Sequence, residues 1–175
     1  MSVQDEYPLL WRKADLNEVP AIKRIGDKIH FDLPERLEVF VEKFRLFPQG
    51  CLVLCKSGAT VGYGIFHPWR LYSVPPCDTF LQRLPPFPDC MFIHDVVVLP
   101  AARGLGAAGE FVQMTAEVAS EQGIAALALV SVRDTYPFWA RYGFEVITDP
   151  VVDEKLKSYG PSARYMIRVA RPLSA

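Results

Sequence analysis

The chain has 175 residues, half of them hydrophobic and 22% charged, which suits one ordinary globular domain and excludes a disordered chain. The 19 Lys and Arg nearly balance the 20 Asp and Glu, which gives a net charge of −1. The chain therefore has no overall positive charge that would favour binding to a nucleic-acid backbone. No apolar run approaches the roughly 18 residues of a membrane span, and the first residues lack the pattern of a signal peptide. We therefore expect a cytoplasmic protein that forms a single domain over residues 1–175.

The first half of the chain predicts strands and helices in alternation. In chain order, the patterns predict a strand over 9–16, a helix with Asn17 as N-cap, a second helix from Pro34 that ends by Pro48, and a hairpin that turns at residues 56–59. In the second hairpin strand, Gly62 and Gly64 indicate a bulge or the close approach of another backbone.

Residues 70–90 predict a long loop because proline is dense there and cannot donate to a strand ladder or sit inside a helix. The prolines are Pro75, Pro76, Pro85, Pro86 and Pro88. Apolar residues in the same stretch favour a packed lid over a disordered segment, with one short helical turn around residues 80–84.

The second half predicts two buried strands, two helices and a final strand pair. The elements are a strand over 91–99, a helix that ends near Gly123 with an inward stripe of Ala108, Phe111, Val112, Thr115 and Ala119, a strand over 124–132, a short helix that ends at Gly143, and strands over 144–147 and 164–169. The alternation of strands and helices predicts an α/β fold.

The four cysteines indicate reduced thiols in the core or in loops, because no Cys-x-x-Cys pair and no zinc-like spacing with histidine is present. No metal site is expected. A disulfide between Cys77 and Cys90 stays open as an alternative, although it would be unusual in a reducing compartment.

A glycine-rich turn between a buried strand and a helix carries the main functional signal. Gly104 and Gly106 tolerate positive φ and let a ligand approach the backbone, and the free amides of the helix start suit a pyrophosphate. Together with Gly109 they also satisfy the G-x-G-x-x-G dinucleotide pattern, but no acidic residue follows at the expected strand end. A phosphate-binding loop of the Gly-Lys-Ser/Thr type is excluded because that sequence is missing.

The turn resembles the R/Q-x-x-G-x-G/A signature of the GNAT acyltransferase superfamily over Arg103 to Ala108. Residues 138–144, FWARYGF, resemble the F-Y-x-x-x-G-F helix end of the same family, and residues 12–22 resemble its first strand and helix. The resemblance implies a single-domain GNAT-like fold, in which a mixed central β-sheet is flanked by about four helices.

The resemblance implies that the protein uses acetyl-CoA as cosubstrate. The pyrophosphate would bind the amides of Arg103, Gly104, Leu105, Gly106, Ala107 and Ala108, while the pantetheine arm would pair with the backbone of Val96 and Val98 like an added strand. Trp139 stands where the family often has a tyrosine, and we expect it to pack against the CoA arm.

An amine nucleophile must lose a proton, and His94 is the predicted base because it matches a histidine of the arylalkylamine N-acetyltransferases within that superfamily. Strand alternation places His94 on the face of Val96 and Val98, and Asp95, the alternative base, on the other. Since tryptophan cannot supply a proton near neutral pH, Tyr136 is the predicted general acid. Tyr142 and unaided departure of the thiolate stay open.

The acceptor is expected to be a small primary amine with an apolar body. Its predicted contacts are His30, Phe31 and Tyr72, with Asp32, Trp69 and the proline-rich loop nearby, whereas Glu35, Glu38 and Glu42 indicate a solvated helix face. Two alternatives remain: an acceptor that is a protein N-terminus or a lysine, and a non-catalytic acyl-CoA-binding sensor or interaction module. No nucleic-acid or membrane partner is expected, and a homodimer stays open because many members of the family form one.

Overall fold

The computed structural model describes residues 8–169, which form a seven-stranded sheet in the order β1-β2-β3-β4-β5-β7-β6. The strands are β1 (Leu10–Lys13), β2 (Cys51–Lys56), β3 (Ala59–Trp69), β4 (Cys90–Val98), β5 (Ala126–Ser131), β6 (Glu145–Ile147) and β7 (Arg164–Val169). Only β4 and β5 run parallel, and every other neighbouring pair is antiparallel. The prediction of an α/β fold with a mixed sheet is therefore confirmed.

Helices cover both faces of the sheet. They are α1 (Val19–Ile29), α2 (Leu37–Leu46), α3 (Ala107–Glu121), α4 (Tyr136–Ala140) and α5 (Pro150–Leu156). The first two helices pack with Val53, Tyr63 and Val97 on one face. On the opposite face, α3 packs with Phe66 and Ile93, and α4 adds Trp139 to the same core cluster.

The packing of α3 explains one of the glycines in β3. A Cβ on Gly64 would lie 2.0 Å from the Cε2 atom of Phe111, a ring that is fully buried in α3. The close approach predicted at Gly64 is thus made by an aromatic side chain, whereas at Gly62 it is made by the backbone carbonyl of Val97, 2.4 Å from the added Cβ.

Several predicted helix limits were wrong. Asn17 lies inside a 3-10 turn, because Asp15 and Glu18 start the helical segment: the Asp15 amide donates to the Glu18 carboxylate at 2.8 Å. The second helix begins at Leu37 instead of Pro34. In α3 the buried stripe starts at Ala107 instead of Ala108. The sequence analysis also missed α5, although the Asp149 carboxylate accepts from two of its amides, both at 3.0 Å.

The proline-rich loop packs against the protein, as expected for a lid. Val74 and Leu81 are buried, and the Glu42 carboxylate of α2 accepts from the amides of Leu81 and Gln82, both at 2.7 Å. Glu42 therefore anchors the loop instead of belonging to a solvated face. The structure contains no helical turn at 80–84. Cys77 and Cys90 are both free thiols, so the alternative disulfide is not formed.

Candidate active site

A cleft opens in the sheet where β4 and β5 separate. The two strands pair only between Met91–Ile93 and Leu127–Leu129, although β4 continues beyond this point. The Leu99 amide donates to a β3 carbonyl at 2.9 Å. Because the backbone groups of successive residues point to opposite sides of a strand, the N–H and C=O groups of Val96 and Val98 face the cleft.

A β-bulge in β4 marks the point where the strands separate. Adjacent residues Ile65 and Phe66 of β3 pair with Asp95 and Ile93, so His94 is the extra residue on β4. An extra residue breaks the alternation of side chains between the two faces. The bulge therefore changes which side chains share a face of the sheet.

The predicted face of His94 was wrong for this reason, whereas Asp95 lies on the face opposite Val96 and Val98, as predicted. Both side chains lie on the side of α1 and α2, where His94 contacts Glu35 and Asp95 contacts His30. The side chains of Val96 and Val98 instead pack with the α3 cluster on the opposite face. The side chains of the consecutive residues His94 and Asp95 thus line the same cavity.

The glycine-rich turn forms an open cradle at the start of α3. Gly104 and Gly106 have φ values of 79° and 82°, and an added Cβ at either position would meet nothing within 4 Å. The first amides of α3 have no partner within the helix. Two bonds fix the turn: Arg103 Nε donates to the Val98 carbonyl at 2.9 Å, and the Trp11 indole donates to the Ala107 carbonyl at 2.8 Å.

One cavity of about 830 Å³ connects the cleft, the cradle and a group of polar side chains beside α1, among them His30 and Asp95. It brings together most of the predicted site residues, namely His30, His94, Val96, Val98, Arg103, Gly104, Gly106, Ala107, Ala108 and Trp139. Its lining also includes Glu35, Tyr63, Asp95, Arg133 and Tyr142.

Four predicted site residues lie outside the cavity lining. Leu105 is 62% exposed at the tip of the turn, and Phe31 is 79% exposed in the turn after α1. The Tyr72 ring packs against Tyr165, with centroids 6.1 Å apart. Tyr136 is 41% exposed, because it is the first residue of α4 and side chains at a helix start lean away from the following turn.

The part of the cavity beside α1 contains a chain of polar contacts centred on His30. Its Nε2 atom lies 2.9 Å from Asp95 Oδ1, and the Tyr63 hydroxyl donates to the other oxygen of Asp95. Arg133 Nη1 lies 3.0 Å from His30 Nδ1, and its second terminal nitrogen contacts Asp32. Because arginine can only donate, His30 Nδ1 accepts, so the ring proton is on Nε2. Burial lowers the pKa of His30, but the hydrogen bond and charge of Asp95 outweigh burial and raise it.

A second imidazole–carboxylate pair lies beside the first. His94 Nε2 lies 2.8 Å from Glu35 Oε2, and the two side chains are only 6% and 12% exposed. Burial raises the pKa of Glu35, but the charge and hydrogen bond of His94, with the charge of Lys43, hold it at about 2. His94 Nδ1 is buried and has no hydrogen-bond partner in the described part of the chain.

Sequence reasoning placed Glu35 on a solvated helix face because it predicted a helix from Pro34. Since α2 begins only at Leu37, Glu35 precedes the helix and its side chain turns inward. The contacts of Arg133 with Asp32 and His30 join residues far apart in the chain, and no local pattern signals them. No group of three or more metal-binding side chains occurs among residues 8–169. In the same residues, no helix has the length and apolar character needed to cross a membrane.

A split mixed sheet with a glycine cradle at the start of a helix is consistent with an acyltransferase that uses a CoA thioester. The chain belongs to the acetyltransferase (GNAT) family, whose model matches residues 17–144. The family and fold predicted from the sequence are thus confirmed. No curated protein is significantly similar to the chain in sequence.

Solved structures share the fold at low sequence identity. N-acetylglutamate synthase from Neisseria gonorrhoeae, complexed with coenzyme A and N-acetyl-glutamate, is 18% identical, with 96% of this chain and 36% of that chain covered and a TM-score of 0.68. The GphF GNAT-like decarboxylase in complex with isobutyryl-CoA is 16% identical, and the match covers 93% of this chain and 100% of that chain with a TM-score of 0.74. Arabidopsis thaliana Naa50, bound to the bisubstrate analogue CoA-Ac-MVNAL, is 13% identical, and the match covers 91% of this chain and 96% of that chain with a TM-score of 0.66. At these identities the likeness concerns the fold.

Proposed function

We propose that this protein is an N-acetyltransferase that moves an acetyl group from acetyl-CoA to the primary amine of a small molecule. The observation that carries the proposal is the continuous cavity, which runs from the glycine cradle along the open edge of β4 to two imidazole–carboxylate pairs. An acetyltransferase needs all three parts: an anion site, a thioester site and groups that manage protons.

The open backbone fits acetyl-CoA. The amides at the start of α3 would bind the pyrophosphate, and the N–H and C=O groups of Val96 with the N–H group of Val98 would pair with the pantetheine arm. An amide of this strand would polarise the thioester carbonyl, as in an oxyanion hole. Trp139 lines the same cavity and would pack against the arm. These roles need backbone atoms and one aromatic surface, so valine side chains carry no chemistry.

The departing thiolate has two routes to a proton. Tyr142 lines the cavity and offers a hydroxyl group, whereas Tyr136 is half-exposed outside it. A thiol with an unperturbed pKa of about 8.5 is also a fair leaving group without assistance. We therefore assign Tyr142, instead of Tyr136, as the candidate acid.

The acceptor side of the cavity, the part beside α1, is lined in part by Cys77 of the proline-rich loop, and this loop favours a small amine over a protein segment. The proline-rich loop is anchored to α2 through Glu42, and Arg36 makes an ion pair with Asp78 of the same loop at 2.9 Å. Arg133, which lines the cavity, contacts Asp32. The partly exposed carboxylates Asp32 and Asp95 would attract the positive charge of an amine.

The acceptor class is tested by thiol release from acetyl-CoA in the presence of butylamine, benzylamine, and peptides with a free N-terminus or an internal lysine. We expect the small amines to give higher kcat/KM values than either peptide. Faster release with peptides would favour the protein-acetyltransferase alternative. No thiol release with any acceptor, despite tight CoA binding, would favour a sensor. The cytoplasmic location and the single domain over residues 1–175 stay predictions of the sequence.

A further inference from the structure

At the acceptor end of the cavity, we infer that His30, oriented by Asp95, takes the proton from the acceptor amine, and that the Arg133 guanidinium now occupies the place of that amino group. This assignment rests on the proposed function, because such a base is needed only if an amine is acylated. It gives His30 a catalytic role instead of the substrate contact predicted from the sequence, and it replaces His94 as the base.

The contacts of His30 orient one lone pair toward the cavity. His30 follows the last residue of α1, and its Nε2–H group donates to Asp95 at 2.9 Å. With the ring proton on Nε2, Nδ1 is the basic atom. Asp95 is itself held by the Tyr63 hydroxyl, so the imidazole cannot easily rotate. The carboxylate also stabilises the imidazolium ion that forms when Nδ1 accepts a proton.

Arg133 presents to His30 the same groups that an amine substrate would present. Its Nη1–H donates to the His30 Nδ1 lone pair at 3.0 Å, and its positive charge lies against the Asp32 carboxylate. An acceptor ammonium group placed there would also direct an N–H toward Nδ1 and its charge toward Asp32. The side chain is therefore an internal substitute for the acceptor's amino group.

The guanidinium is held weakly enough to be displaced. The side chains of Arg133 and Asp32 are 37% and 47% exposed, and exposed ion pairs contribute little net stabilisation. Arg133 and the next residue, Asp134, have φ values of 51° and 57°, in the left-handed region that few non-glycine residues adopt. Strained backbone of this kind concentrates at ligand-binding sites.

His94 offers the amine no exposed nitrogen. Its Nε2 atom is bonded to Glu35, and its Nδ1 atom, although it has no hydrogen-bond partner among residues 8–169, is buried. An acceptor could reach either atom only if Glu35 or the β4 bulge moved. His94 instead orients the wall of the acceptor site through Glu35, as a positioning residue.

The proton balance of the step is complete. The acceptor ammonium group passes one proton to His30 Nδ1, and the neutral amine nitrogen then forms a bond to the acetyl carbonyl carbon. As the C–S bond breaks, the second proton leaves the nitrogen, and the CoA thiolate takes up one proton, directly from the nitrogen or through Tyr142 or water. His30 returns its proton to solvent as the amide product leaves. No oxidant, reductant or further reactant is required.

The inference is tested by steady-state kinetics with acetyl-CoA and the better of butylamine and benzylamine. We expect His30→Gln to lower kcat by about 10²- to 10⁴-fold while the Kd for CoA stays unchanged. Arg133→Ala should lower KM for the amine by roughly 2- to 5-fold, because an exposed competitor is removed. Arg12→Ala is the matched control, since Arg12 makes a partly exposed ion pair with Glu18 at 2.8 Å and neither residue lines the cavity. It should leave both constants unchanged.

The possible outcomes separate this inference from the proposed function. If the wild-type protein acetylates the amine but His30→Gln keeps its kcat within about threefold, the base is misassigned while the function stands. An unchanged KM in Arg133→Ala overturns the substitute role of the guanidinium. If wild-type protein that binds CoA acetylates neither amine, the proposed function fails and this assignment fails with it. Asp95→Asn is a second test of the base assignment, since it should lower kcat without weakening CoA binding.

Discussion

The glycine cradle gives the sharpest prediction, because the chain contains its own matched control. Gly106 and Gly123 flank α3 at its two ends, with φ values of 82° and 70°. An added Cβ at either position meets nothing within 4 Å. Gly106→Val and Gly123→Val therefore introduce the same side chain into similar backbone without a clash inside the protein. Only the side chain at Gly106 would project into the proposed pyrophosphate site.

The two variants should lose stability alike but differ in ligand affinity. A left-handed conformation costs a non-glycine residue roughly 1–2 kcal/mol or more, so both melting temperatures should fall by several degrees, at about 2–4 °C per kcal/mol. Loss of one charge-assisted hydrogen bond to the pyrophosphate, ~1.5–3 kcal/mol, raises the Kd of CoA roughly 10- to 100-fold for Gly106→Val alone.

Isothermal titration calorimetry with CoA measures this difference directly, and thermal unfolding of the same samples checks the stability. The account expects Gly123→Val to keep the wild-type Kd. Equal affinities in the two variants would refute the location of the cradle, whatever the stability measurements show.

Three further predictions concern stability. Gly64→Ala should lower the free energy of unfolding by about 1–3 kcal/mol, because its Cβ would overlap the Phe111 ring; an unchanged urea midpoint would contradict this packing. Asp149→Ala should cost about 1 kcal/mol by removing the cap of α5, and hydrogen exchange should then be faster in that helix and not in α3. The Glu35 carboxyl has a pKa of about 2 in the folded protein, against an ordinary value of 4.5. It should therefore contribute stability that is lost as the pH falls from about 4.5 to 2, because in this range the unfolded chain binds a proton that the folded protein does not bind. Glu35→Gln should flatten that part of the pH–stability curve, and an unchanged slope would argue against the buried pair with His94.

The glycine turn and α3 could be predicted from the sequence because their signals are local. Gly104 and Gly106 show positive φ directly after a buried strand, and the following apolar periodicity marks α3. The same local reasoning correctly placed the hairpin around Ser57 and Gly58, where the backbone needs left-handed residues.

The acceptor side could not be predicted because it depends on long-range contacts. Strict alternation along β4 assigned His94 and Asp95 to opposite faces, but the bulge arises from the register with β3 and places them on one face. The contact between His30 and Arg133 joins the end of α1 to the second residue after β5, and its geometry follows only from the assembled sheet. Glu35 was misplaced by the predicted start of α2, a limit that local propensity defines poorly.

The central claim, acetyl transfer to a small amine, is tested most directly by mass spectrometry with acetyl-CoA that carries ¹³C in its acetyl group. The purified protein is saturated with this labelled acetyl-CoA and mixed with butylamine or benzylamine, and the amide product is quantified over time. The account predicts that the labelled acetyl group appears on the amine with one CoA thiol released per amide, and that Gly106→Val suppresses the product at limiting acetyl-CoA. Protein that is saturated with acetyl-CoA yet forms no labelled amide above the uncatalysed rate would contradict it.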